Sequence, residues 1–105
     1  MSTGLKITEQ QFLDQVIDLA HTFGFRVAHF RPGMNRRGQW QTAVSGDGAG
    51  FPDLVLAKKG VVIFAELKAD GGKVTPEQQR WIDDLEAFVW RPGDFDRIVE
   101  ILKLE

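Results

Sequence analysis

The sequence contains no cysteine, which excludes disulfides, thiol catalysis and any cysteine-ligated zinc site. No apolar run approaches the roughly 20 residues that a membrane-spanning helix needs, and the N-terminus has no signal-peptide pattern. The expectation is a cytoplasmic protein with no membrane partner. Acidic residues are missing from Leu19 to Gly46, although twelve of the fifteen acids lie at or after Asp47. Arg26, Arg31, Arg36 and Arg37 all fall in that acid-free stretch. The net charge of −2 would by itself argue against nucleic acid, but it averages over this partition. A basic segment in an acidic chain is a reason to look for a polyanionic partner, although a basic loop that is merely solvated has the same composition. What is present is globular: 105 residues, 43% hydrophobic, suit a single domain over 1–105 with a modest core.

Periodicity predicts a helix from about Glu9 to Phe23. Thr8 caps it, Gln11 completes a capping box, and Phe12, Leu13, Val16, Ile17, Leu19, Ala20 and Phe23 recur at helical spacing. Gly24 stops it, and Phe25 to Phe30 reads as a strand. Residues 31–52 are rich in glycine and proline and read as a long loop, which in a small domain is usually functional or mobile. Asp53 to Lys58 and Gly60 to Lys68 read as strands joined at Lys59-Gly60. The apolar run Val61–Ala65 suits a central strand buried on both faces. Thr75 caps a second helix that turns Trp81, Ile82 and Leu85 inward. A last strand spans Phe88 to Trp90, and Asp94 caps a final helix to about Lys103. The expected order is αβββαβα, an α/β domain with a small mixed sheet flanked by helices.

The informative residue is Glu66, which follows five consecutive apolar residues. Lys68 stands two positions on, so carboxylate and ammonium share one face of the strand. A glutamate at the end of a buried strand is costly unless a cation compensates it. A hairpin at Lys59-Gly60 would bring Asp53 to the same end of the sheet, and two hard carboxylates with a few waters suit Mg²⁺ or Mn²⁺. The alternative is a Glu66–Lys68 ion pair that closes the strand end. Glu9 lies on the apolar stripe of the first helix, in register with Leu13, Val16 and Ala20. It is either an acid seeking a cation or a partner of the helix dipole. His21 and His29 sit on different elements and read as packed or surface histidines.

Phe51-Pro52-Asp53 and Glu66-Leu67-Lys68, separated by a twelve-residue spacer between the two acids, have the form of the PD-(D/E)XK nuclease signature. With Gly50-Phe51-Pro52-Asp53-Leu54-Val55, Thr75-Pro76-Glu77-Gln78 before Trp81, and Trp90-Arg91-Pro92, the chain resembles the virus-type replication–repair nuclease (VRR-Nuc) domain. The likeness is to its small stand-alone versions from bacteriophages and bacteria. It implies a restriction-endonuclease-like core and a metal-dependent endodeoxyribonuclease. In that family pattern Asp53 and Glu66 would bind the metal together with the Leu67 carbonyl, and Glu9 would complete the site directly or through metal-bound water. Lys68 would orient or deprotonate the attacking water and stabilise developing charge. Gln78 would approach from the second helix, although it is also the capping-box partner of Thr75.

The implied substrate is branched DNA, most concretely a four-way (Holliday) junction, with a flap- or nick-directed nuclease or a non-catalytic DNA-binding module as alternatives. Arg31, Arg36, Arg37 and Lys73 would neutralise phosphates, while Trp40 would stack on an exposed base or pack the loop down. Only Glu86-Ala87 separates Leu85 from Phe88, shorter than the family pattern. A connection too short to fold back predicts a homodimer, with exchange of 88–105 between protomers as one route.

Overall fold

The computed structural model describes residues 7–30, 32–34, 40–42 and 46–105, and the side chains of all of these outside 31–45. Helix α1 (Glu9–Thr22) starts as its sequence predicts: Gln11 N–H donates to Thr8 Oγ1 at 3.0 Å, and Thr8 N–H donates to Gln11 Oε1 at 2.8 Å. Gly24, at φ 88°, turns the chain into β1 (Arg26–His29). A short antiparallel hairpin follows, β2 (Pro32–Met34) with β3 (Trp40–Thr42), inside the stretch expected to be loop. Its turn-forming composition hid two three-residue strands, which are too short to show a period.

Strands β4 (Leu54–Lys58) and β5 (Val61–Leu67) form the hairpin expected at Lys59-Gly60, where both residues have positive φ (47° and 86°). That is the turn geometry that matches strand twist. Helix α2 (Pro76–Leu85) then crosses over to β6 (Phe88–Trp90), which pairs parallel to β5. A 3₁₀ turn (Pro92–Asp94) leads into α3 (Phe95–Leu104). Asp94 does not cap α3 as expected. Its carboxylate accepts instead from the Arg91 amide at 2.9 Å and so closes the 3₁₀ turn.

The main sheet runs β1-β4-β5-β6. One face carries Leu54, Leu56, Ile63, Ala65, Leu67 and Trp90, buried against Phe12, Val16 and Ala20 of α1 and Ile98 and Leu102 of α3. The other face carries Phe64 and Glu66, and Phe51, Trp81 and Gln78 meet it there. The helices therefore divide two to one across the sheet. The apolar run of β5 is not buried on both sides throughout: Val62 is 53% exposed, and two-sided burial sets in only at Ala65–Leu67, beneath α2. Trp81 and Leu85 are half-buried, and Ile82 is the α2 residue that is fully enclosed. Among the described residues no helix is long and apolar enough to cross a membrane.

The α2–β6 connection corrects one expectation. Two residues do reverse the chain, because Glu86 adopts the left-handed conformation (φ 52°, ψ 44°) and Ala87 N–H donates back to the Ile82 carbonyl at 2.9 Å. Exchange of 88–105 is thereby not required: the connection lets β6 lie beside β5 of its own chain. A left-handed non-glycine residue costs about 1–2 kcal/mol, partly offset by the greater unfolded-state freedom of glycine. Glu86→Gly is therefore expected to raise stability by about 0.5–1 kcal/mol. A thermal midpoint a few degrees higher would show this, and a lower one would mean that the Glu86 side chain makes stabilising contacts.

Candidate active site

The register Leu54↔Ala65 places Asp53 across from Glu66 at one end of the hairpin. Asp53 is held there by its backbone, whose carbonyl accepts from Phe30 N–H at 2.9 Å. Its side chain is held as well, with Oδ2 accepting from the Leu67 amide at 2.8 Å. Glu66 is 2% exposed, the one charged residue among the described residues that is fully buried. Its Oε2 accepts from Gln78 Nε2 at 3.1 Å, and Lys68 Nζ stands 3.7 Å away, close enough for charge but long for a hydrogen bond. Its Oε1 is buried with no hydrogen-bond partner.

Electrostatics follows from this crowding. Burial, and then the charge of Asp53, push the Glu66 carboxyl up to about 8, with Lys68 opposing. Asp53 is raised too, first by burial and then by the negative charge of Glu9, while the Leu67 amide and His29 pull it down. Two neighbouring acids thus resist ionising together.

Gln78 unites the two roles that its sequence position left open. Its Oε1 accepts from Thr75 N–H at 2.9 Å, its backbone N–H donates to Thr75 Oγ1 at 3.2 Å, and its Nε2 is left to reach Glu66. The capping box fixes which end of the amide faces the carboxylate. Gln78→Glu keeps an acceptor for the Thr75 amide but replaces the donor with a third negative charge. The expected outcome is a loss of about 1–3 kcal/mol of stability, with nuclease activity reduced by on the order of 100-fold. Activity intact in Gln78→Glu would reduce Gln78 to a cap.

Glu9 sits on the same helical stripe as Leu13, Val16 and Ala20, as expected, but where the stripe runs past the core. It is exposed, and it acts on Asp53 by charge. Among the described residues no three acidic or imidazole side chains are gathered closely enough to hold an ion together. Lys73 is exposed in the loop before α2. Arg31, Arg36 and Arg37 lie outside the described residues, and Trp40 falls in β3 with its side chain undescribed. His29 is a residue that sequence reasoning set aside. The pairing His29↔Leu54 brings it beside Asp53, a proximity that only the β1–β4 register reveals.

Glu66 Oε1 meets no protein donor and lies beside a second carboxyl, so the charge there is balanced either by a proton held between Asp53 and Glu66 or by a cation. A hard divalent cation such as Mg²⁺ or Mn²⁺, which takes carboxylate and carbonyl oxygens, fits Asp53, Glu66 and the Leu67 backbone.

An antiparallel hairpin that ends in an Asp–Glu–Lys constellation, flanked by a parallel strand and a covering helix, defines a nuclease-type α/β core. The chain belongs to the VRR-NUC domain family, whose family model matches residues 32–95. It is accordingly a nuclease domain, and DNA is its substrate class. No curated protein and no solved structure gave a significant match.

Proposed function

We propose that this nuclease domain is a divalent-cation-dependent, structure-selective DNA endonuclease that resolves four-way junctions. The observation that carries the metal dependence is the buried Glu66 beside half-buried Asp53, with Lys68 Nζ at 3.7 Å and a Glu66 Oε1 that no protein donor reaches. Mg²⁺ or Mn²⁺, when bound, supplies a nucleophile at neutral pH and a counter-charge for the scissile phosphate.

The chain's own residues do the rest. Asp53 is pinned by the Leu67 amide and Glu66 by Gln78, so both carboxylates are oriented before any ligand arrives. Lys68, on the same face as Glu66, holds the ammonium that orients the attacking water and faces charge as it develops on phosphate. A site of clustered acids repels DNA, so affinity must come from elsewhere. The acid-free stretch with Arg31, Arg36 and Arg37, together with Lys73, supplies it. A module that only bound DNA would gain nothing from two carboxylates facing phosphate, which disfavours the non-catalytic alternative.

A four-way junction offers two equivalent strands for cutting, so paired incision calls for two copies related by a two-fold axis. The working form is then a homodimer, with exchange of 88–105 not required because two residues suffice to bring β6 back beside β5.

One experiment tests this reading. Four-way junction, flap and linear duplex are incubated with the protein and Mn²⁺, with and without chelator, and light scattering measures the mass at micromolar concentration. Preferred, chelator-sensitive cutting of the junction by a dimer is expected. A monomer that prefers flaps or nicks would replace junction resolution with that reading, and cutting unaffected by chelator would overturn the metal.

A further inference from the structure

Gln78 reaches Glu66 only because the first turn of α2 comes unusually close to the turn before β4. A methyl group built on Gly50 would lie 2.6 Å from the Glu77 carbonyl carbon, 2.7 Å from the Gln78 nitrogen and 2.8 Å from Glu77 Cβ. Two of those three atoms are helix backbone, which cannot swing aside as a side-chain tip would. Gly50 also has φ +82°, so the glycine is required twice, by conformation and by space. Around this contact the same loop grips α2 by side chains. Trp81 Nε1–H donates to the Asp47 carbonyl at 3.0 Å, and the Phe51 ring meets Trp81 edge-on at 5.0 Å. Phe51 also packs edge-on against Phe30 and Phe64, which ties the loop to the sheet that carries Glu66.

We propose that Gly50 is a positioning residue: its missing side chain lets the loop before β4 seat the first turn of α2, and so sets the Gln78 amide on Glu66. The proposal rests on reading Glu66 as part of the nuclease site and adds a residue that touches neither metal nor DNA. Ordinary carbon contacts are about 3.5–4.0 Å, so a methyl at position 50 must push the turn away by about 1 Å. The 3.1 Å bond from Gln78 Nε2 to Glu66 Oε2 does not survive such a shift. The Thr75 cap moves with Gln78, because both belong to the displaced turn.

The test compares Gly50→Ala with Gly60→Ala in the β4–β5 turn, where φ is also positive (+86°) and a Cβ would meet nothing within 4 Å. Both carry the conformational strain, and Gly50→Ala alone carries the collision. The primary readout is the side-chain amide resonances of Gln78 in ¹H–¹⁵N spectra, which report the bond to Glu66 without any metal or DNA. Gly50→Ala is expected to move them toward the free-amide position while Gly60→Ala leaves them in place. In the cleavage assay, Gly50→Ala is expected to lower kcat on the order of 10- to 100-fold and to have no further effect in a Gln78→Ala background.

Unmoved Gln78 resonances, or losses that add in the double variant, would overturn the proposal. If Gly50→Ala does not fold, Trp81→Phe loosens the same seat by removing the donor to Asp47 and shrinking the ring that meets Phe51, and Gln78 resonances unchanged there are equally fatal. A wild-type protein that cuts no DNA, but whose Gln78 amide still responds to Gly50→Ala, would withdraw the nuclease mechanism and leave the positioning intact.

Discussion

Glu66→Gln is expected to abolish cleavage and, at the same time, to make the metal-free protein more stable at pH 8. The two effects have one source. Burial and the charge of Asp53 raise the Glu66 carboxyl from 4.5 to about 8, so the folded protein favours the protonated acid while the unfolded chain does not. Between those values the folded state binds more protons than the unfolded one, and stability falls as pH rises. The contribution of Glu66 is thus fully present below about 4.5, declines up to about 8, and is gone above that. Glutamine is neutral at every pH, keeps an acceptor for Gln78 Nε2 and does not pay the ionisation cost. The variant should exceed wild type by about 1–3 kcal/mol at pH 8, with the gap closing toward pH 5. Cleavage should drop by roughly three orders of magnitude, since a cation can no longer draw on a second carboxylate.

Under the proposed metal dependence, the same proton should govern how tightly the wild type binds its ion. An ion that binds Glu66 at pH 7 must first displace its proton, so affinity should weaken about tenfold for each pH unit below 8, with close to one proton released per ion. Asp53 is raised as well, which steepens the loss at lower pH. Calorimetric titration of Mn²⁺ in buffers of different ionisation enthalpy measures the proton count directly. Equal stability of wild type and Glu66→Gln across pH 5–8 would mean that Glu66 is ionised in the folded protein and that the buried pair is not strained.

How far this site was legible in the sequence depends on what kind of information each residue carries. Asp53 and Glu66 could be paired on paper because a two-residue turn fixes the register between them, and a single turn is a local signal. Lys68 followed from strand alternation. Glu9 shows where periodicity stops: the stripe with Leu13, Val16 and Ala20 gives the helix face correctly, but not that the core ends one turn short of it. His29 lay beyond reach, since its place beside Asp53 depends on how β1 pairs with β4, a contact with no local marker. The α2–β6 connection misled for a related reason. A glutamate in the left-handed conformation has no sequence signature, and without it two residues seem too few. The seat of α2 on Gly50 is similar: the glycine is visible, but the helix that crowds it is not.

Lys68→Met carries the sharpest test of what the constellation is for. If Lys68 served only to neutralise Glu66, its removal would cost metal affinity or stability, and cleavage would recover at saturating Mn²⁺. The geometry argues otherwise. With burial and the charge of Asp53 pushing its carboxyl up to about 8, Glu66 should be mostly protonated at pH 7 in the metal-free protein, and deleting the 3.7 Å contact should change stability by less than about 1 kcal/mol. Methionine keeps the apolar stem and removes only the ammonium. The expected result is a loss in kcat of about 10²- to 10⁴-fold, with junction affinity nearly unchanged. If Lys68 acts by its positive charge, neither excess Mn²⁺ nor raising the pH should restore the rate, whereas recovery at high pH would assign it the deprotonation of the attacking water. Recovery to wild-type kcat at high Mn²⁺ would return Lys68 to a purely structural role at the end of β5.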